Sequence, residues 1–473
     1  MQRILGLLLV PFLLVGLIWL ATVIYLQQSA AQVDGNALLL HFVYIPLAAV
    51  ALWFAGKAAF TWLTREPATS ASPATAPAAP LAQPAATPIP LPLAILAAEF
   101  STPGGDWAEQ VLPELREGKL RPELADDMLN AEGLPVSCAR HADLDTEAHQ
   151  EWLEKWLHSA SPEHPSQLEA VADGARLLAL LDGPLTRSLD TLAALPPLPL
   201  PEHTPAGTPP AQRPLLIKLF APAPWQDMLT AHLRERLTEL SGFAIGFIKH
   251  DAQRPELHHD PIRVADAFAL DLRKNPGSQA TLMLVACDSL SNQARIDQLE
   301  AEGRLFSAST PDGLVPGESA AILLAAAPSQ IPAESEALAR LERSAWGARQ
   351  KPVDARGRTD AELLGRLLPE LLEHAGLAAS EVCGLSSDCD QRAAWFTEAA
   401  TLMSTHLPEL DPVSDHLSLG RSFGHTGHAG PLLALVMAAH TAQAESRAVL
   451  AAALFDPVQR SLAVLRPWQV SAS

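Results

Sequence analysis

The stretch Thr310-Pro-Asp-Gly-Leu-Val-Pro-Gly-Glu-Ser-Ala-Ala-Ile-Leu-Leu324 turns twice on glycine and then runs into an uninterrupted apolar strand. Gly313 and Gly317 permit tight backbone turns. Glu318, at the entry of the strand, reads as a buried structural carboxylate satisfied by backbone N–H groups. Further along the chain, Arg421-Ser-Phe-Gly-His-Thr-Gly-His-Ala-Gly430 leads straight into the apolar Pro431-Leu-Leu-Ala-Leu-Val-Met-Ala-Ala439. There Gly427 and Gly430 let the chain turn sharply into a buried helix that begins at Pro431.

Around these two stretches, short apolar runs alternate with helical periodicity. Leu215–Phe220, Phe243–Ile248, Thr281–Ala286 and Ala320–Ala325 read as strands, with weaker runs at Ala448–Leu454 and Ser461–Leu465. Helical stretches such as Trp225 to Leu240 and Asp360 to Gly376 fall between them. Continuous apolar strands separated by helices indicate an α/β layered fold with both sheet faces covered. Before Pro196 the pattern is helical, with Trp152/Trp156 and Leu153/Leu157 at i, i+4 spacing, and the tryptophans read as core packing or, alternatively, as the lining of a partner groove. Pro196 to Pro214 is Pro-rich, and reads either as a domain boundary or as a surface loop within one fold.

The two glycine stretches, in this order, resemble the ketosynthase branch of the thiolase-like superfamily. Ala286-Cys287-Asp288-Ser289-Leu290, Gly303-Arg304-Leu305 and Asp312 to Ala321 follow the order and spacing of that family's first region. His425 matches the histidine of its Gly-His-x-x-Gly-Ala-Ala-Gly turn, although the segment is one residue shorter and Arg421 stands, displaced by one, where the family has Lys. The resemblance implies a layered αβαβα domain. It also implies a thiolate at a helix N-terminus and two histidines that stabilise a developing oxyanion. The counterpart of the family's His-Gly-Thr-Gly-Thr segment is Leu385-Ser-Ser-Asp-Cys-Asp-Gln391, followed by Thr397-Glu398, and it holds no histidine. Pro214 to Ala286, where the nucleophile belongs, holds no cysteine. The remnant catalytic candidates are therefore His425 and Cys287. Cys287 is a weak nucleophile candidate: the Pro-Gly-Glu segment follows it too soon, and Asp288 beside it raises a thiol pKa.

The N-terminus carries a different signal. Ile4 to Leu26 is an uncharged apolar run long enough for a bilayer core of roughly 30 Å, and Leu38 to Leu63 is a second. Arg3, Lys57 and Arg65 flank the pair, while the connection holds Asp34 and no Lys or Arg, so both termini are expected in the cytoplasm. The alternative, a signal peptide cleaved near Ser29-Ala30-Ala31, requires a shorter apolar run. The organisation is thus a transmembrane hairpin (1–65), an Ala/Pro-rich tether (66–93) and a cytoplasmic region (94–473), the last divided into a helical part (94–195) and a ketosynthase-like part (215–473).

Composition excludes some functions. Net charge is −20 with no Lys/Arg cluster, which argues against nucleic acid as a partner. Four cysteines (Cys138, Cys287, Cys383, Cys389) form neither a disulfide framework nor a zinc motif. His258-His259-Asp260 lacks a further ligand at recognisable spacing, so no metal is expected. No phosphate-binding loop or nucleophile elbow is present, and no cofactor is implied.

The whole layout, including Gly105 to Asp143 with its Leu134-Pro-Val136, resembles the lipase-adaptor family of bacterial type VI secretion systems. That resemblance implies a non-catalytic protein of the bacterial inner membrane that binds a lipase effector and delivers it to the secretion spike. The competing expectations are a membrane-bound acyl-transfer enzyme or its inactive partner subunit. Ketosynthase-like folds usually dimerise, so a homodimer is a further expectation.

Overall fold

The computed structural model describes residues 91–160, 168–198, 211–238, 240, 242–248, 260–331, 336–355 and 357–469. The expected hairpin at 4–26 and 38–63, nearly all of the tether, and His258 and His259 lie outside the described residues. Among the described residues no helix is long and apolar enough to cross a membrane.

The strands, in chain order, are β1 (Leu93–Ser101), β2 (Glu123–Leu129), β3 (Pro135–Cys138), β4 (Arg213–Phe220), β5 (Phe243–Phe247), β6 (Thr281–Ser289), β7 (Glu318–Ala326), β8 (Ala339–Ala348), β9 (Val382–Ser387), β10 (His416–Ser418), β11 (Ala448–Ala453) and β12 (Gln459–Pro467). Ten of them connect in the order β10-β9-β11-β12-β8-β1-β7-β6-β4-β5, and β2-β3 forms a separate hairpin. The ten divide into two halves of one topology. In the first, β1–β7 and β7–β6 are antiparallel, and β6–β4 and β4–β5 are parallel. In the second, β8–β12 and β12–β11 are antiparallel, and β11–β9 and β9–β10 are parallel. The halves meet where Leu93–Ile95 pairs antiparallel with Ala339–Leu341.

Side-chain alternation along the strands sets the layers. On β6, Leu282, Leu284 and Ala286 face a central cluster, while Met283, Val285 and Cys287 face an outer one. The outer layer on the first half is made by the helices Leu168–Ala193 and Gln226–Leu237, through residues such as Leu178, Leu181 and Leu229. On the second half it is made by Glu362–Ala375 and Ala393–His406, through Leu364, Leu368 and Leu402. Between the halves lie Pro261–Lys274 and Gly430–Glu445. The second of these is apolar nearly all round, and a helix without a polar face belongs in the interior. Each fully buried leucine on it contributes roughly 1.5–3 kcal/mol. The result is the αβαβα arrangement expected from the sequence.

The structure differs from the sequence reading in the segment 94–195. This segment is not a helical part set beside the sheet, because β1 lies at the centre of the sheet between β7 and β8. Its Ala-rich sequence has little intrinsic strand preference, and burial on both faces fixes it as a strand instead. The Pro-rich stretch before Pro214 is a connection within one fold, since helix Leu168–Ala193 and β4 share a single core cluster. Trp152 and Trp156 pack against that cluster, as expected. Leu134 is 55% exposed whereas Val136 is buried.

Candidate functional site

The two glycine stretches form one unit. The His425 N–H donates to the Val315 carbonyl at 2.7 Å, and the Gly317 N–H donates to the His425 carbonyl at 3.1 Å. Gly317 is required by this close approach, since a Cβ there would lie 1.9 Å from the Phe423 carbonyl oxygen. Glu318 follows, fully buried as expected but held mainly by a side chain. Arg176 reaches it twice, Nε to Oε2 at 2.7 Å and Nη2 to Oε1 at 2.5 Å. The Ser289 hydroxyl and the His141 N–H complete its partners, so a single backbone N–H contributes.

Gly427 adopts φ +52°, and a Cβ there would sit 1.9 Å from Asp288 Oδ2. The loop therefore lies directly on Asp288. Both the backbone N–H (2.9 Å) and Nδ1 (2.8 Å) of His428 meet that same oxygen.

Behind this loop is a cavity of about 670 Å³ with Asp260, Asp288 and Asp388 in its wall. His425 lines it too, its ring stacked on Phe455 with centroids 3.8 Å apart. Burial, reinforced by Arg392 and Arg304, pushes the His425 imidazole down to about 3, so it is neutral near pH 7.

Asp260 caps the helix Pro261–Lys274. Its Oδ1 accepts from the Ile262 N–H at 2.9 Å, and its Oδ2 pairs with Arg263 Nε at 3.0 Å and with the Ser461 hydroxyl. Burial raises its pKa against these bonds. In the sequence, Asp260 reads as the end of a His-His-Asp loop. An Asp followed by Pro at the first helical position is, however, a helix-start signal.

Asp388 follows the last residue of β9, within the segment aligned to the family's second histidine. Its Oδ1 accepts from the Leu454 and Phe455 N–H groups at 2.6 and 3.1 Å. Its Oδ2 is buried without a hydrogen-bond partner. Burial pushes this carboxyl up to about 7.

Cys287 lies elsewhere. It is fully buried on the opposite face of β6 from Asp288, with Sγ 3.3 Å from the Leu177 carbonyl. Burial, then Asp288 and Glu318, pushes its thiol well above the usual range. Among the described residues no cysteine lines the cavity, and no cluster of His, Cys, Asp and Glu has the form of a metal site.

No protein-family profile and no curated protein matches this chain. Solved structures do match it. A ketosynthase from module 6 of the bacillaene synthase of Bacillus subtilis 168 is 12% identical with a TM-score of 0.50, over 80% of this chain and 72% of that one. A type II PKS acyl-carrier protein in complex with its ketosynthase, bound to the hexaketide, is likewise 12% identical with a TM-score of 0.50, over 80% and 100%. The chain has a ketosynthase-like thiolase fold. At these identities the likeness is one of fold.

Proposed function

We propose that this protein is a catalytically silent ketosynthase-fold adaptor, anchored in the bacterial inner membrane, that binds a lipase effector in the cytoplasm and delivers it to the type VI secretion spike. The observation that carries the silent part is Asp260. At the helix N-terminus facing the cavity, where the resemblance calls for a thiolate, there is a carboxylate already occupied by Arg263, Ser461 and its own helix. Asp388 follows the strand where a second histidine is called for, and above about pH 7, where its carboxyl ionises, it opposes the negative charge that develops on an acyl oxygen. Cys287 packs into the outer core cluster on the far face of β6 and is not among the residues that line the cavity.

The adaptor part is supported by the layout read from the sequence, two apolar runs at residues 4–26 and 38–63 and a Pro-rich tether, followed by a thiolase-like region. Leu124, Leu129 and Leu134, exposed on or beside the β2–β3 hairpin, offer apolar surface to a protein partner. The second reading, an acyl-transfer enzyme or its inactive partner subunit, is favoured by one feature, the cavity with His425 in its wall.

The full chain used as bait in its native cytoplasm separates the two. Near-stoichiometric recovery of a lipase or spike component supports the adaptor. Recovery of an acyl carrier protein, with acyl transfer lost on His425→Ala, overturns it.

A further inference from the structure

The β2–β3 hairpin stands apart from the ten-stranded sheet and gathers three exposed leucines, Leu124 (69%), Leu129 and Leu134. Its inner face is settled. Ala125 lies opposite Val136, and both pack with Met128 against Ile296 and Leu299 of the helix Gln293–Ala301. Alternation along β2 then turns Leu124 and Leu129 to the outer face. The tip is braced. The Gln293 side chain donates to the Leu129 carbonyl at 2.6 Å and accepts from its N–H at 3.0 Å. Glu300 accepts from the Ala131 N–H at 2.8 Å, and Asn130 Oδ1 accepts from the Glu132 and Leu134 N–H groups. A ridge held in this way loses little freedom when a partner covers it.

Charge decides what can cover it. From Glu123 to Cys138 there are four carboxylates, Glu123, Asp126, Asp127 and Glu132, and no Lys or Arg. Among the described residues Asp127 alone of the four is ion-paired, with Arg140. The helix beneath carries Asp297 and Glu300 against one cation, Arg295. Just before the hairpin, Lys119 is paired with Glu117, and Arg121 bonds the Gly118 carbonyl through Nε, so the balance stays negative. A second copy set on the same ridge by a two-fold axis would bring these carboxylates against themselves. An anionic lipid surface would be repelled. What the ridge fits is a protein with an apolar groove and a basic rim.

We propose that the outer face of the β2–β3 hairpin is the surface that receives the lipase effector, and that the effector presents to it an apolar groove bordered by Lys and Arg. The proposal rests on the adaptor reading. Leu124, Leu129 and Leu134 fill the groove, while Glu123, Asp126 and Glu132 face its rim.

For the test, the lipase recovered by the full-chain bait is identified by mass spectrometry, purified, and titrated by calorimetry against the full chain in lipid nanodiscs. Leu124→Asp combined with Leu134→Asp should weaken binding about tenfold or more at an unchanged thermal midpoint. Glu123→Lys combined with Asp126→Lys and Glu132→Lys should weaken it by a similar factor. Raising the salt from about 50 to about 300 mM should weaken the wild-type complex several-fold and spare the lysine variant. If the leucine variant does not fold, the lysine variant decides alone, since its three positions are exposed. Wild-type affinity in both variants sinks this surface and leaves the adaptor reading standing, whereas a wild-type bait that recovers no lipase sinks both. Loss in the leucine variant with none in the lysine variant overturns the basic-rimmed partner. A dimer in sedimentation that the leucine variant dissociates gives the ridge to a second copy, and overturns the proposal too.

Discussion

Arg176 and Glu318 form a bidentate ion pair in which the carboxylate is fully buried and the guanidinium nearly so. The pair ties the long outer helix to the start of β7. Removing one partner of such a pair leaves the other charge buried without compensation, which costs about 3–5 kcal/mol. Arg176→Ala should lose stability of that order in urea denaturation. A loss below about 1 kcal/mol would show that water or protonation satisfies Glu318 instead.

Gly317→Ala tests the joining of the two loops. The added methyl meets the Phe423 carbonyl, a backbone atom that cannot rotate aside. Either the Val315–His425 pairing opens or the loop shifts, and a loss of more than about 2 kcal/mol is expected. A thermal midpoint equal to that of the wild type would mean that the loops are not pressed together in solution.

Asp388 gives a pH signature. Its folded pKa of about 7 lies above the ordinary 3.8, so between these values the folded chain keeps a proton that the unfolded chain releases. Stability from this group therefore falls as pH rises from about 4 to 7, by up to ~4 kcal/mol across three pH units. Asp388→Asn should match the wild type near pH 4 and exceed it at pH 8. Parallel stability curves for the two proteins would contradict the unpaired carboxyl.

His425 acts in the opposite sense. Its pKa is depressed to about 3, so below about pH 6.5 the unfolded chain binds a proton that the folded chain does not. Stability from this group is intact above that pH and declines as pH falls toward 3. The His425 ring protons should keep their neutral-form NMR shifts from pH 7 to pH 5. Titration with a midpoint near 6.5 would place the ring in open solvent.

Cys287 should resist iodoacetamide in the folded protein at pH 8 and react once urea unfolds it, as peptide mass spectrometry can follow. A fully buried thiol with a raised pKa supplies little thiolate. Alkylation of the native chain at Cys287 would reopen its candidacy as a nucleophile.

The parts of the fold that were legible in the sequence are those where local pattern and tertiary environment agree. β6, β7 and β11 are buried on both faces and so read as long apolar runs, and the apolar cores of β4 (Leu215–Ile217) and β12 (Leu462–Leu465) read in the same way. β1 is equally buried, but its alanines carry too weak a signal to be separated from the tether before it. β8 places Arg340, Glu342 and Arg343 among buried Ala339, Leu341 and Ser344, which hides it from a search for apolar runs. Of the site, His425 was legible because glycines bracket it. Asp260 and Asp388 were not, because a lone Asp gains meaning only when a helix end or a strand end brings it to a cavity.

The repeated half-fold has an electrostatic consequence. Each half sends one central helix toward the cavity, Pro261–Lys274 from the first and Gly430–Glu445 from the second, and the leading turn of each lines it through Asp260 and Pro431. Helix N-termini carry partial positive charge, so two of them arriving at one point favour a guest anion over water. This chain places its own carboxylates, Asp260 and Asp388, at that point. The positive ends of both helices are thus met by carboxylates of the chain itself. In Asp260→Cys the thiol would still face Asp388, whose carboxylate, once ionised above about pH 7, disfavours a thiolate beside it.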